Sequence, residues 1–204
     1  FVYHENNFSS KFMHQTLGCV LNSKLLNNTE NDILPEAKEL AKFYNQNVKL
    51  GAYSDSNGLI SIRENIKEQL QLKYNIENID IKDLFFTNGS LQAYEHIVAT
   101  ICNKDDSVMI PNPCYPHLSN INTSRKLNNI SYLMNEKDNW SIDFDDLRNT
   151  FAANKNICPL KALVMFYPHD PTGKIHTRKE VEKLIMFCYE NKVALISIET
   201  NKNS

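Results

Sequence analysis

Tyr167-Pro168-His169-Asp170-Pro171-Thr172-Gly173-Lys174 is the stretch that decides the fold. Ahead of it, Ala162 to Phe166 is a short, unbroken apolar run of the kind a buried strand needs. Behind it, Thr177-x-x-Glu180 is a capping box that opens a helix over Arg178 to Glu190. Val181, Leu184, Ile185 and Cys188 supply the inner face of that helix. Pro168, Pro171 and Gly173 punctuate the chain between the two. The eight residues are therefore a turn that carries a buried strand into a helix, the repeating step of a parallel sheet covered by helices.

The same alternation extends in both directions. Leu84 to Thr87 reads as a short strand, Asn88-Gly89-Ser90 as a tight turn and Leu91 to Cys102 as a helix. Ser107 to Ile110 is a strand that runs into Pro111-Asn112-Pro113-Cys114-Tyr115-Pro116, where prolines oppose both a helix and a central ladder. A strand near Ile130 to Met134, a helix over Asp143 to Phe151 and a last strand over Val193 to Ile198 complete the series. Leu59, Ile62, Ile66 and Leu70 make one apolar stripe on a helix that precedes it. Residues 1–50 read as an arm with helices, one through Phe12, Leu17 and Val20-Leu21 and one opened by Pro35. The expected fold is α/β: a mainly parallel sheet flanked by helices over residues 51–204, with a helical N-terminal arm over 1–50.

Composition narrows the function classes. The 204 residues carry a net charge of −2, so there is no electrostatic case for nucleic acid or for an anionic membrane surface. No apolar run is long enough to span a bilayer. The 27 asparagines sit among periodic apolar segments, which excludes a disordered polar chain and points to the codon bias of an AT-rich genome. Five scattered cysteines with no Cys-x-x-Cys pair read as reduced thiols of an intracellular compartment. The six histidines lack zinc-ligand spacing, and no metal site is expected. Thr172-Gly173-Lys174 lacks the rest of a phosphate-binding P-loop, and no Gly-x-Ser-x-Gly elbow is present.

Four segments together resemble one family. Tyr167 to Gly173 is similar to the Asn-Pro-x-Asn-Pro-Thr-Gly signature of the fold-type-I (class I/II) aminotransferases, which bind pyridoxal phosphate (PLP). Gly51-Ala52-Tyr53-Ser54-x-Ser56-x-Gly58 with Ile62-Arg63-Glu64 resembles the corresponding loop and helix of the alanine aminotransferase subgroup. So do Phe12-Met13-His14-Gln15 and Met109-Ile110-Pro111-x-Pro113-x-Tyr115-Pro116. The resemblance covers nearly the whole chain but only the first part of such an enzyme. The family's Schiff-base lysine and its substrate-gripping arginine lie beyond the segment matching Val193–Ile198. In the family topology the segment matching Leu84–Thr87 pairs with a strand that follows residue 204, so further residues or another chain are expected to supply it.

Residue by residue, the resemblance implies a degraded cofactor pocket. The ring nitrogen of PLP needs a carboxylate beside it, and Ile198 stands there. A one-residue slip would offer Glu199, at the cost of turning every side chain of the strand to its other face. The phenolate oxygen needs donors; an ionised Asp170 replaces the family's asparagine and is an acceptor only. Asn201 replaces the donor tyrosine. The phosphate needs backbone N–H groups and hydroxyls, and the segment reads Gly89-Ser90-Leu91, with leucine in the hydroxyl's place. Tyr115 keeps the ring-stacking position, and Gly51 and Tyr53 match the substrate loop. Losses at three contacts of one ligand point to a fold retained for its shape. The expectation is a non-catalytic pseudoenzyme with no catalytic residue and no cofactor, acting as a scaffold or as a subunit of a homodimer or larger assembly. Its setting is intracellular, mitochondrial rather than cytosolic. The alternative is a fragment of an active PLP-dependent transaminase of alanine type.

Overall fold

The computed structural model describes residues 8–27, 32–47 and 55–200. They belong to two compact units, Phe1–Phe86 and Thr87–Ser204. In the first, helices α1 (Phe8–Leu21) and α2 (Pro35–Asn47) pack through Thr16, Cys19, Ala37 and Ala41, small side chains that let the helices approach. Gln15 ties the start of α2 down: its amide donates to the Asp32 carbonyl (2.6 Å) and its side-chain oxygen accepts from the Leu34 N–H (2.9 Å). Helix α3 spans Ile60–Tyr74.

The second unit is the expected sheet. Strands β1 (Ser107–Asn112), β2 (Asn128–Asn135), β3 (Ser141–Ile142), β4 (Leu160–Phe166) and β5 (Ala194–Ile198) lie in the order β3-β2-β1-β4-β5. All neighbours are parallel except β2 and β3. Helices α4 (Ser90–Ile101) and α5 (Pro116–Ser124) cover one face, while α6 (Phe144–Asn154) and α7 (Arg178–Asn191) cover the other.

The period of two along each strand sorts the core into two clusters. Val108 and Ile110 of β1, with Ala162, Val164 and Phe166 of β4, face α4 and α5. Met109, Leu163 and Met165 face α6 and α7. The capping box of α7 forms in full: the Glu180 N–H donates to the Thr177 hydroxyl (3.3 Å), and the Thr177 N–H donates to the Glu180 carboxylate (2.7 Å).

Five expectations are corrected. Leu84–Thr87 forms no strand; among the described residues no neighbour offers it a ladder, and its backbone makes isolated bonds instead, the Leu84 N–H to the Ile81 carbonyl (3.3 Å) and the Phe86 N–H to the Asn57 carbonyl (3.0 Å). Pro111 does lie in a central strand. The β1–β4 ladder stops at Met109, and from Ile110 onward β1 pairs only with β2, so no donor is demanded of the proline. Pro116 opens α5 instead of opposing it, because a first-turn N–H has no intrahelical acceptor to lose. On α7, Phe187 is buried while Ile185 is exposed at the flank of the stripe. On α3, Ile66 is exposed and the one buried residue is Arg63.

Candidate functional site

Strand order places the site. From β1 the chain crosses to β2 on one side, then returns to β4 on the other. The carboxyl ends of β1 and β4 therefore flank the switch point, where open α/β sheets hold their ligands. The loop after β1 carries Cys114 and Tyr115, and the turn after β4 carries Asp170. The two loops are close neighbours: burial and then the Asp170 charge push the Cys114 thiol up. The next strand along, β5, ends in Ile198. Of the positions that the family resemblance singles out, Gly89, Ser90, Leu91, Tyr115, Asp170 and Ile198 all lie in this unit. Gly51, Tyr53 and Asn201 lie outside the described residues.

Gly89 opens α4 at φ 84°, a conformation that favours glycine, and an added Cβ would meet nothing within 4 Å. No side chain caps the helix, so its first N–H groups face outward beside the exposed Ser90. This is the backbone half of an anion cradle. The side-chain half is missing, because Leu91 turns inward and packs on the α4–α5 core cluster.

Ile198 belongs to the same cluster and is 8% exposed. Its register is fixed by pairing with Phe166, and the Tyr167 N–H donates to its carbonyl (2.9 Å). Glu199 is exposed, which rules out the slipped register. The end of β5 is thus closed by hydrocarbon on its α4–α5 side. Tyr115 stands just before α5 without a side-chain capping bond, and one of its faces is covered by His117, the two rings stacking at 4.7 Å and 14°.

The turn after β4 is held by its own backbone: the His169 N–H donates to the Lys174 carbonyl and the Gly173 N–H to the His169 carbonyl, each at 2.7 Å. Asp170 is half-buried. Beside it stand two of the six histidines, to which their spacing assigned no role. His169 and His176 are 2% and 4% exposed, edge to face at 6.1 Å. His169 Nδ1 bonds the Thr172 hydroxyl (2.8 Å). Burial, and then His176, push the His169 imidazole down to about 4, against the pull of Asp170 and the Pro113 carbonyl. Their spacing of seven matches no ligand motif, so only the fold of the turn brings the rings together.

Among the described residues, no trio of His, Cys, Asp or Glu is placed to hold a metal ion. All five cysteines are free thiols. No described helix is long and apolar enough to cross a membrane. An open cleft of about 400 Å³ between Ser141, Phe144, Lys174 and Lys183 contains none of the family-equivalent positions.

Comparison with known proteins agrees with this fold. The chain is 29% identical over 171 residues to a probable mitochondrial alanine aminotransferase of Dictyostelium discoideum, covering 82% of this chain and 31% of that protein. It is 28% identical over 200 residues to alanine aminotransferase 1 of Bos taurus, covering 95% and 40%. Among solved structures, an alanine aminotransferase from Pyrococcus furiosus superposes with a TM-score of 0.69 at 21% identity, over 92% of this chain and 40% of that one. The chain thus spans about a third to two fifths of the length of these curated relatives. The family described as aminotransferase class I and II matches residues 22–199, and the chain belongs to it.

Proposed function

We propose that this chain is an aminotransferase-derived domain whose PLP pocket has been given up, retained as a non-catalytic scaffold or assembly subunit. The observation that carries the reading is Ile198, buried at the end of β5 and locked in register with Phe166. A protonated pyridine nitrogen against that wall has no counter-charge, and an unpaired charge in an apolar wall is strongly disfavoured. Leu91 in the core cluster, His117 on Tyr115 and a carboxylate at Asp170 act in the same direction. The residues present do not fit the ring of PLP, and no catalytic step is assigned to it. Protein partners, as a homodimer or a larger assembly, a mitochondrial rather than cytosolic setting, and a division into an arm over 1–50 and a sheet-bearing domain over 51–204 belong to the same reading.

PLP added to the purified chain is expected to give neither a thermal shift nor retention of its absorbance on gel filtration. The triple variant Leu91→Ser, Asp170→Asn, Ile198→Asp is expected to gain both. Saturable retention by the parent would overturn the proposal. The competing reading, a fragment of an active alanine-type transaminase, is favoured by the uncapped α4 N-terminus with its glycine. It requires a Schiff-base lysine from beyond these 204 residues, and mass spectrometry of the borohydride-reduced native protein would reveal the PLP adduct.

A further inference from the structure

The two edges of the sheet differ. One ends in β3, which is two residues long and antiparallel to its neighbour. The other is β5, whose five residues Ala194-Leu195-Ile196-Ser197-Ile198 pair with β4 in an unbroken parallel register and, among the described residues, with no other strand. Edge strands are ordinarily blunted by charges, proline or a bulge, and β5 carries none of these. The ladder sets the direction of its free hydrogen-bonding groups. The Tyr167 N–H donates to the Ile198 carbonyl. Backbone groups alternate sides along a strand, so Ala194, Ile196 and Ile198 turn theirs to β4, while Leu195 and Ser197 turn their N–H and C=O groups to the open edge.

The helices above and below that edge are apolar on the same side. On α7, Lys183 lies over the Phe144 ring (5.2 Å) and Phe187 meets Phe151 (5.4 Å), so this flank faces α6. At 3.6 residues per turn, Ile185 and Tyr189 fall on the opposite flank, and they are 48% and 79% exposed. On α4, Glu95 pairs with Arg125 (3.0 Å) at the end of α5, which marks the flank toward α5. Ile97 falls on the other flank and is 40% exposed. Both α5 and α6 pack on β2, on the far side of β1 and β4, so the two opposite flanks look toward the β5 edge.

We propose that β5 is the docking edge for a second copy of this chain, which adds its own β5 antiparallel across a two-fold axis at Ile196. That axis sets Leu195 opposite the partner's Ser197, and such a pair exchanges both of its outward N–H···O bonds. A two-fold axis perpendicular to the sheet keeps each face on its own side, so the flank with Ile185 and Tyr189 meets its own copy, and so does the flank with Ile97. Area favours this occupant over a lone peptide strand. A five-residue edge, about 17 Å long in a layer about 10 Å thick, offers roughly 170 Å². The flanks of α7 and α4, about 21 Å and about 18 Å long and about 10 Å wide, add roughly 400 Å². Together they come close to the roughly 600 Å² per partner at which specific interfaces begin. A lone strand reaches the edge only, whereas a second copy covers all three layers at once. The second copy is the partner in the homodimer reading above; the docking rests on that part of the reading and not on the loss of the PLP pocket.

Sedimentation equilibrium of the full chain tests the docking. A monomer–dimer equilibrium is expected, with a dissociation constant on the order of 1–10 μM for an interface of this size. Ser197→Pro removes an outward N–H without touching the ladder to β4, and is expected to weaken association at least about tenfold. Ser197→Ala keeps the N–H and is expected to stay within about twofold of the parent. Tyr189→Lys, at an exposed position of α7, is expected to weaken association by about tenfold or more, and it stays readable if the proline variant does not fold. Amide hydrogen exchange locates the contact: the Leu195 and Ser197 amides gain protection only as the dimer forms, while the Ile196 amide, turned to β4, is protected throughout. A parent that stays monomeric at about 100 μM overturns the proposal. So does protection of Leu195 and Ser197 in the monomer, which would put a strand of the same chain on the edge. A folded Ser197→Pro or Tyr189→Lys variant that dimerises as tightly as the parent overturns it as well, and the homodimer reading would then stand on another face.

Discussion

Replacing Arg63 by methionine is expected to cost the N-terminal unit about 3–4 kcal/mol. The residue is 4% exposed, and its guanidinium is spread over three acceptors. Nε donates to the Gly58 carbonyl (3.0 Å), Nη1 to the Ile81 carbonyl (3.1 Å), and Nη2 to the Asp55 carboxylate. The Asp55 side chain is 47% exposed, so water screens that pair and it contributes little. The two carbonyl bonds dominate, at roughly 1.5–3 kcal/mol each for a charged donor. Ile81 still accepts from the Leu84 N–H (3.3 Å), so its loss lies at the low end, whereas among the described residues no other donor bonds the Gly58 carbonyl. Methionine fills the volume of the arginine stem, so no large cavity adds to the cost. The assay is urea unfolding followed by far-UV circular dichroism, since the single tryptophan, Trp140, lies in the other unit. With an m-value of about 2 kcal/mol per molar, the midpoint falls by roughly 1.5 M. Arg63→Lys, which lacks the planar fork, is expected to fall between. A methionine variant within about 1 kcal/mol of the parent would refute the argument that these carbonyls depend on Arg63.

Thr177→Ala removes the hydroxyl that accepts from the Glu180 N–H (3.3 Å) and is expected to lower stability by about 1 kcal/mol in the same titration. Tyr132→Phe deletes the buried hydroxyl that donates to the Val164 carbonyl (2.9 Å), with an expected loss of about 1 kcal/mol. Leu163→Ala, at a fully buried position of β4, is expected to cost about 2–5 kcal/mol; a smaller loss would show that the α6–α7 cluster collapses around the gap. Because folding lowers the His169 imidazole from 6.5 to about 4, the unfolded chain takes up a proton below pH 6.5 that the folded chain refuses, so stability falls with acid over that window and levels off below pH 4. At pH 5 the loss relative to pH 7 is about 2 kcal/mol, and a His169→Gln variant that loses as much as the parent would exclude His169 as its source.

The strand–turn–helix unit was legible because each of its signals is local. The apolar run to Phe166, the prolines and glycine of the turn, and Thr177 with Glu180 act within a few residues of one another. Helix α5 was missed because Pro116 reads as a breaker unless its place in the first turn is known. The buried Arg63 was hidden inside what reads as an apolar stripe, because its acceptors come from Gly58 and Ile81, brought up by the folding of the chain.

By itself, then, the amino-acid sequence determined the α/β class, the family and the residue types at Leu91, Asp170 and Ile198, the positions that the family resemblance singles out, since those follow from residue type and spacing. Only the tertiary structure decided that Leu91 and Ile198 close into one apolar cluster, that Glu199 faces out, and that His169 and His176 are buried edge to face against each other. Strand order and register set these outcomes, and they depend on partners distant in the chain, which no local pattern encodes.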